Sequence, residues 1–89
     1  MKTFRKQPGD HLDYDIDMSD WLNDDDTVND VEVEAPDGIE LTGTDIEDNA
    51  VKLWIKGGED GNNYQFSPLI HTTQARTKEV DFLVVVTEQ

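Results

Sequence analysis

Residues 51–66 read VKLWIKGGEDGNNYQF. On an extended backbone Val51, Leu53 and Ile55 point one way and Lys52, Trp54 and Lys56 the other; after a break, Tyr64 and Phe66 resume the alternation. Period two marks a half-buried strand, because successive side chains leave opposite faces. Between the two segments lie Gly57, Gly58, Asp60, Gly61, Asn62 and Asn63. Glycine and asparagine accept the positive φ that a reversal needs. The stretch predicts a β-hairpin whose loop is longer than a two-residue turn.

Working outward, Leu12, Tyr14, Ile16 and Met18 alternate with Asp13, Asp15 and Asp17, a strand with one apolar and one acidic face. Residues 19–23 (SDWLN) break the period, and Asp24-Asp25-Asp26 reads as a solvated loop. Val28, Val31 and Val33 predict a second strand, ended by the turn Ala35-Pro36-Asp37-Gly38. Ile39 and Leu41 predict a short third strand, and in the polar stretch 43–49 only Ile46 reads as anchored. The hairpin strands cover 50–56 and 62–72, with Pro68 marking a bulge or an edge. After a turn at 73–76, Val80, Phe82, Val84 and Val86 form the last strand. Leu83 and Val85 make its other face apolar too, which places it centrally or against a partner.

Six or seven short strands with Gly, Pro and Asp turns and no helical period predict an all-β fold. The turn spacing and the long final pair favour an immunoglobulin-like antiparallel β-sandwich over a barrel, covering residues 11–89. Tyr64 follows a Gly-rich turn, where such domains often place a corner tyrosine. Residues 1–10 predict an extended basic N-terminal arm, set off by the breaker pair Pro8-Gly9. The arm either lies disordered or docks on a partner or on the acidic body through Phe4, Lys2, Arg5 and Lys6.

Charge bounds the partners. The chain has 89 residues, 7 basic and 21 acidic, for a net of −14. Residues 7–89 carry only Lys52, Lys56, Arg76 and Lys78 against all 21 acids, a net of −17. Such a body repels phosphate backbones and anionic lipid, so neither nucleic acid nor membrane is an expected partner. There is no cysteine, so thiolate metal sites and disulfides are unavailable. The longest apolar run, 82–86, is too short to span a bilayer, and no apolar segment follows the basic start as a secretory signal requires.

Asp13-x-Asp15-x-Asp17 resembles the start of a calcium loop, but the sixth and twelfth positions hold Met18 and Asp24 rather than Gly and Glu. The solvent face of a strand accounts for it better. Asp24-Asp25-Asp26 and residues 45–49 are looser oxygen-rich loops. His11 and His71 lack further ligands at zinc spacing, and Ser19 and Ser67 lack a nucleophile-elbow context. No catalytic, cofactor-binding or metal residue is expected, and no enzyme activity. Aromatic residues are enriched at interface hot spots, which adds Trp21 and Trp54 to Lys2, Phe4, Arg5 and Lys6 as candidate partner contacts. The pattern inclines Trp54 toward the core, and Trp21-Leu22 toward stapling its loop to the sandwich end.

A train of short signatures runs through the chain. Lys6 precedes Leu12-Asp13-Tyr14, then Ser19-Asp20-Trp21-Leu22, Asp26-Thr27 and Pro36-Asp37-Gly38-Ile39. The strand at 51–56 leads into Gly57-Gly58, Gly61 and Tyr64; Thr72-Thr73, Arg76, Glu79 and the strand of Phe82, Val84 and Val86 close the series. In order and spacing this resembles the small immunoglobulin-like phage virion proteins that act as fibre–tail adaptors, over about residues 6 to 87. The chain departs from that pattern in charge, carrying Asp or Glu where family members often have Thr, Ser or Ala. The resemblance implies a non-enzymatic virion protein, made in the host cytoplasm, that joins tail or neck proteins to fibres in several copies around the tail axis. Alternatives are a head or collar decoration protein, an acidic DNA mimic that blocks a host nucleic-acid enzyme through the Asp13/Asp15/Asp17 ladder, or a carbohydrate module using Trp21 or Trp54.

Overall fold

The computed structural model describes residues 2–88. Among them nine strands form three three-stranded sheets in an open, sandwich-like all-β arrangement without helix. The strands are β1 (Lys2–Lys6), β2 (His11–Asp17), β3 (Val28–Glu32), β4 (Ile39–Ile46), β5 (Ala50–Gly57), β6 (Asn63–Phe66), β7 (Leu69–Thr72), β8 (Thr77–Glu79) and β9 (Phe82–Val86).

The period-two segments become the central strands. β5 lies between β2 and β4, antiparallel to both, and Val51, Leu53 and Ile55 are fully buried. Tyr14 faces Leu53 and Ile16 faces Val51 across the β2 pairing, so the apolar faces of both strands coincide. β9 lies between β1 and β6 and buries Phe82, Val84 and Val86, as its two apolar faces predicted. β7 lies between β3 and β8 and buries Ile70.

A line of aromatic rings joins two of the sheets. Phe66 stacks on Phe82 at 5.1 Å, Phe82 meets Phe4 edge-on at 5.4 Å, and Phe4 meets Tyr14 at 4.8 Å. Burying side chains of this size stabilises the fold by about 1.5–3 kcal/mol each.

Three expectations change. β5 and β6 do not form a hairpin: β5 belongs with β2 and β4, while β6 pairs antiparallel with β9. The GGEDGNN loop therefore carries the chain from one sheet to another. The Gly61 N–H donates to Val86 C=O at 2.8 Å and the Val86 N–H to Asn62 C=O at 3.0 Å, tying the loop to the end of β9. The long strand at 62–72 is two strands, because Pro68, fully buried and without an N–H, interrupts the ladder where the chain leaves the β9 sheet. Residues 2–6, read as part of an arm, form β1, the one strand that runs parallel to its neighbour. Nine strands thus replace six or seven, and not all pairs are antiparallel.

Tyr64 closes the sheet-changing loop. Its hydroxyl accepts the Glu59 N–H at 2.9 Å. Its ring lies against both Gly38 and Gly58, where an added Cβ would come within 3.2 Å of it. Gly58 also has φ +93°, so both space and backbone demand glycine there.

Candidate partner interface

The six residues named from the sequence are not brought together at one place. Phe4 and Lys6 serve the core. The Phe4 ring packs on Tyr14 and Phe82, with the Lys2 ammonium 5.2 Å from its centroid. Lys6 is 3% exposed, and its ammonium donates to the carbonyls of Gln7 at 2.7 Å and Gly57 at 2.5 Å. Burial pushes this amine below the ordinary lysine range, while Asp10 and Tyr64 pull the other way. Those carbonyls are what make burying the charge tolerable, and they tie β1 to the end of β5. Alternation along β1 turns both side chains inward, Lys6 fully and Phe4 in part.

Trp21 belongs to a network that fastens two loops together. The N–H groups of Trp21 and Leu22 both donate to Met18 C=O at 3.0 Å, and the Arg76 guanidinium lies 4.0 Å from the indole centroid. The Asp26 side chain is inaccessible. Its Oδ1 accepts the Thr27 N–H at 2.9 Å, the Thr73 hydroxyl at 3.0 Å and the Gln74 N–H at 3.1 Å. Its Oδ2 faces Arg76 Nη1 across 3.9 Å. Burial pushes the Asp26 carboxyl upward, but hydrogen bonds from Thr72, Thr73, Gln74 and Thr27 outweigh that and hold it below the usual carboxylate range. The Asp26-Thr27, Thr72-Thr73 and Arg76 signatures thus form one cluster with a structural role. Asp26 is therefore not part of a solvated loop, as the Asp24-Asp25-Asp26 run suggests; the signal for it in the sequence is its place beside Thr27 in the train of signatures.

Trp54 does not enter the core. It lies on the outer face of β5, opposite Asp13 and Gly43, with the His11 ring 6.1 Å away and edge-on. Lys52, on the same face, bridges Asp13 at 3.1 Å and Asp15 at 3.7 Å. The carboxylates raise the lysine, chiefly through the Asp13 hydrogen bond, and that bond lowers Asp13. The acidic ladder is therefore partly neutralised rather than a free row of charges.

Arg5 remains, and it belongs to a distinctive face. Alternation points Thr3 and Arg5 outward on β1, Leu83 and Val85 on β9, and Asn63 and Gln65 on β6. Register assembles them into two rows, Thr3–Leu83–Gln65 and Arg5–Val85–Asn63. At ~4.8 Å between strands the patch is about 10 Å wide. In a chain with 21 acids, it holds no carboxylate. By contrast, the outer face of the β5 sheet carries Asp13, Asp15, Glu40 and Asp45, and that of the β7 sheet carries Asp30, Glu32 and Glu79. Leu83 and Val85 are half-buried and apolar, ringed by uncharged polar groups and one arginine, as at the centre of an interface. The double apolar pattern of β9 was the signal for this face in the sequence; that Arg5, Asn63 and Gln65 join it was not visible there.

Among the described residues no group of three or more His, Cys, Asp or Glu is placed to hold a metal ion. One open groove of about 470 Å³ runs between residues 32–36 and Gln65, Ser67 and Leu69; its ionisable groups are Glu32 and Glu34. The arrangement suits binding of another protein surface.

A comparison with curated proteins found no match. A family model described as the podophage GP4 fiber-tail adaptor protein gp77 matches residues 6–85. That match begins at the last residue of β1 and ends within β9, and on it the chain belongs to the podophage GP4 fiber-tail adaptor protein gp77 family.

Proposed function

We propose that this protein is a virion component that docks onto a tail or neck protein through the acid-free face of the β1–β9–β6 sheet. The remaining acidic faces stay solvated or turn toward the fibre. The observation that carries the reading is that every outward carboxylate borne by a strand lies on the other two sheets, which leaves the half-buried Leu83 and Val85 beside Arg5 with no strand acid among them. Desolvating that patch costs no buried acid, whereas closing any other sheet face would strand several. Several copies around the tail axis, synthesised in the host cytoplasm before assembly, complete the proposal.

The test is incorporation into particles. The wild-type protein should remain on washed particles at fixed stoichiometry and map to the tail or neck by electron microscopy. Leu83→Asp and Val85→Asp, folded by circular dichroism, should be lost from them. Wild-type protein absent from washed particles, or both variants incorporated normally, would overturn the reading.

A further inference from the structure

β1 and β2 are both edge strands, β1 paired only with β9 and β2 only with β5. An edge offers a row of unpaired N–H and C=O groups that another strand can take up. The two edges lie on one flank of the sandwich. Residues 7–10 reverse the chain between them, with the Asp10 N–H bonded to Gln7 C=O at 3.1 Å. At the turn end, Lys6 reaches the Gly57 carbonyl, next to the Lys56 that pairs with His11. Two residues back along β1 and three on along β2, the Phe4 and Tyr14 rings meet at 4.8 Å. β1 and β2 therefore run in opposite directions at matched levels, one in each facing sheet.

Their chemistry is complementary. β1 reads KTFRK and β2 reads HLDYDID. Thr3 and Arg5 point outward on β1, and Asp13, Asp15 and Asp17 on β2. Leu12, 43% exposed, is one of two large apolar side chains left open among the described residues, and it lies on this flank.

A two-fold axis along this flank, parallel to the strands, sets β1 of each copy beside β2 of the other. Such a rotation preserves strand direction, so the new pairs are antiparallel. It exchanges the two layers, so outward side chains stay outward. With Phe4 level with Tyr14, Arg5 falls opposite Asp13 of the second copy and Thr3 opposite its Asp15, and this happens twice per dimer. The geometry points to a second copy of this chain as the occupant of the flank, joined through two β1–β2 junctions that run basic against acidic. Residues 2–5 precede the family match, which begins at residue 6. Each copy carries −14, so whole-body repulsion opposes the contact at low salt. At about 0.15 M salt the screening length is ~8 Å, which damps that repulsion and leaves touching charges attractive.

Sedimentation velocity on the purified full chain tests this, and its outcome is independent of docking to particles. The wild type should dimerise with rising concentration, more strongly at about 0.15 M salt than at 0.01 M. Arg5 and Asp13 are exposed, so Arg5→Glu and Asp13→Arg should leave the circular dichroism spectrum unchanged. Each variant alone sets like charges together at both junctions and should weaken the dimer by on the order of tenfold or more. Mixing the two restores opposite charges at both junctions and should restore the dimer. A wild type that stays monomeric at every concentration, single variants that dimerise as the wild type does, or a mixture that fails to associate would each overturn the inference.

Discussion

Replacing Gly58 by alanine measures how tightly the sheet-changing loop is seated. Gly57, Gly58 and Gly61 all have positive φ, at 85°, 93° and 88°. For an L-residue this region costs roughly 1–2 kcal/mol, partly offset by about 0.4–1 kcal/mol from the stiffer unfolded chain. At Gly57 and Gly61 an added Cβ meets nothing within 4 Å, so about 1 kcal/mol is the whole expected loss. At Gly58 the Cβ lands 2.7 Å from Val86 Cγ2 and 3.2 Å from Tyr64 Cε2. Val86 is fully buried and cannot swing aside, so overpacking adds about 1–3 kcal/mol. Gly58→Ala should therefore lose about 2–4 kcal/mol, out of the ~4–13 kcal/mol that a domain of this length commonly has. Urea unfolding followed by tryptophan fluorescence should show its midpoint well below those of Gly57→Ala and Gly61→Ala, with an unchanged slope. Val86→Ala removes the obstructing methyl, so the Gly58→Ala/Val86→Ala double variant should lose less than the sum of the singles. If Gly58→Ala matched Gly57→Ala and the double variant were additive, the close seating of this loop on β9 would be refuted.

Other outcomes follow from neighbouring features. Phe82→Ala opens a cavity where Phe4 and Phe66 meet and should cost about 3–5 kcal/mol, while Leu83→Ala, one residue along on the outer face, should cost far less; equal losses in urea would contradict the assigned faces. The Asp26 carboxyl is held below its ordinary value of 3.8, so its contribution is present above that pH and fades as pH falls through the lower folded value. Asp26→Asn should accordingly be less stable than the wild type at pH 6, with the gap narrowing below about pH 4; a constant gap in pH-dependent melts would rule this out. Trp54→Ala should leave stability within about 1 kcal/mol, whereas Trp21→Ala should lower the melting temperature through loss of its contact with Arg76; equal melting temperatures for the two variants would contradict these placements.

The sequence by itself determined which side of each strand faces in. Tyr14, Ile16, Val51, Leu53, Ile55, Phe82, Val84 and Val86 follow from alternation alone, because the pleat fixes side-chain direction residue by residue. Even Trp54 was legible: its parity opposed Val51, Leu53 and Ile55, and the inclination toward the core failed because that face of β5 meets solvent, not another strand. The family signature was legible too, since it is a matter of spacing along the chain. Alternation does not name partners, however. The stretch at 51–66 read as a hairpin, yet β5 and β6 went to different sheets, because the glycines that permit a reversal equally permit a crossing. The choice was made by Tyr64 packing between Gly38 and Gly58 and by the loop bonding to β9. β1 was too short to show a period, and its place came from Phe4 and Lys6 finding partners on Tyr14, Phe82 and Gly57. The Asp26–Thr73–Arg76–Trp21 cluster and the acid-free face likewise join residues dozens of positions apart. Only the tertiary structure could decide them, because strand order and loop packing are settled by contacts across the chain.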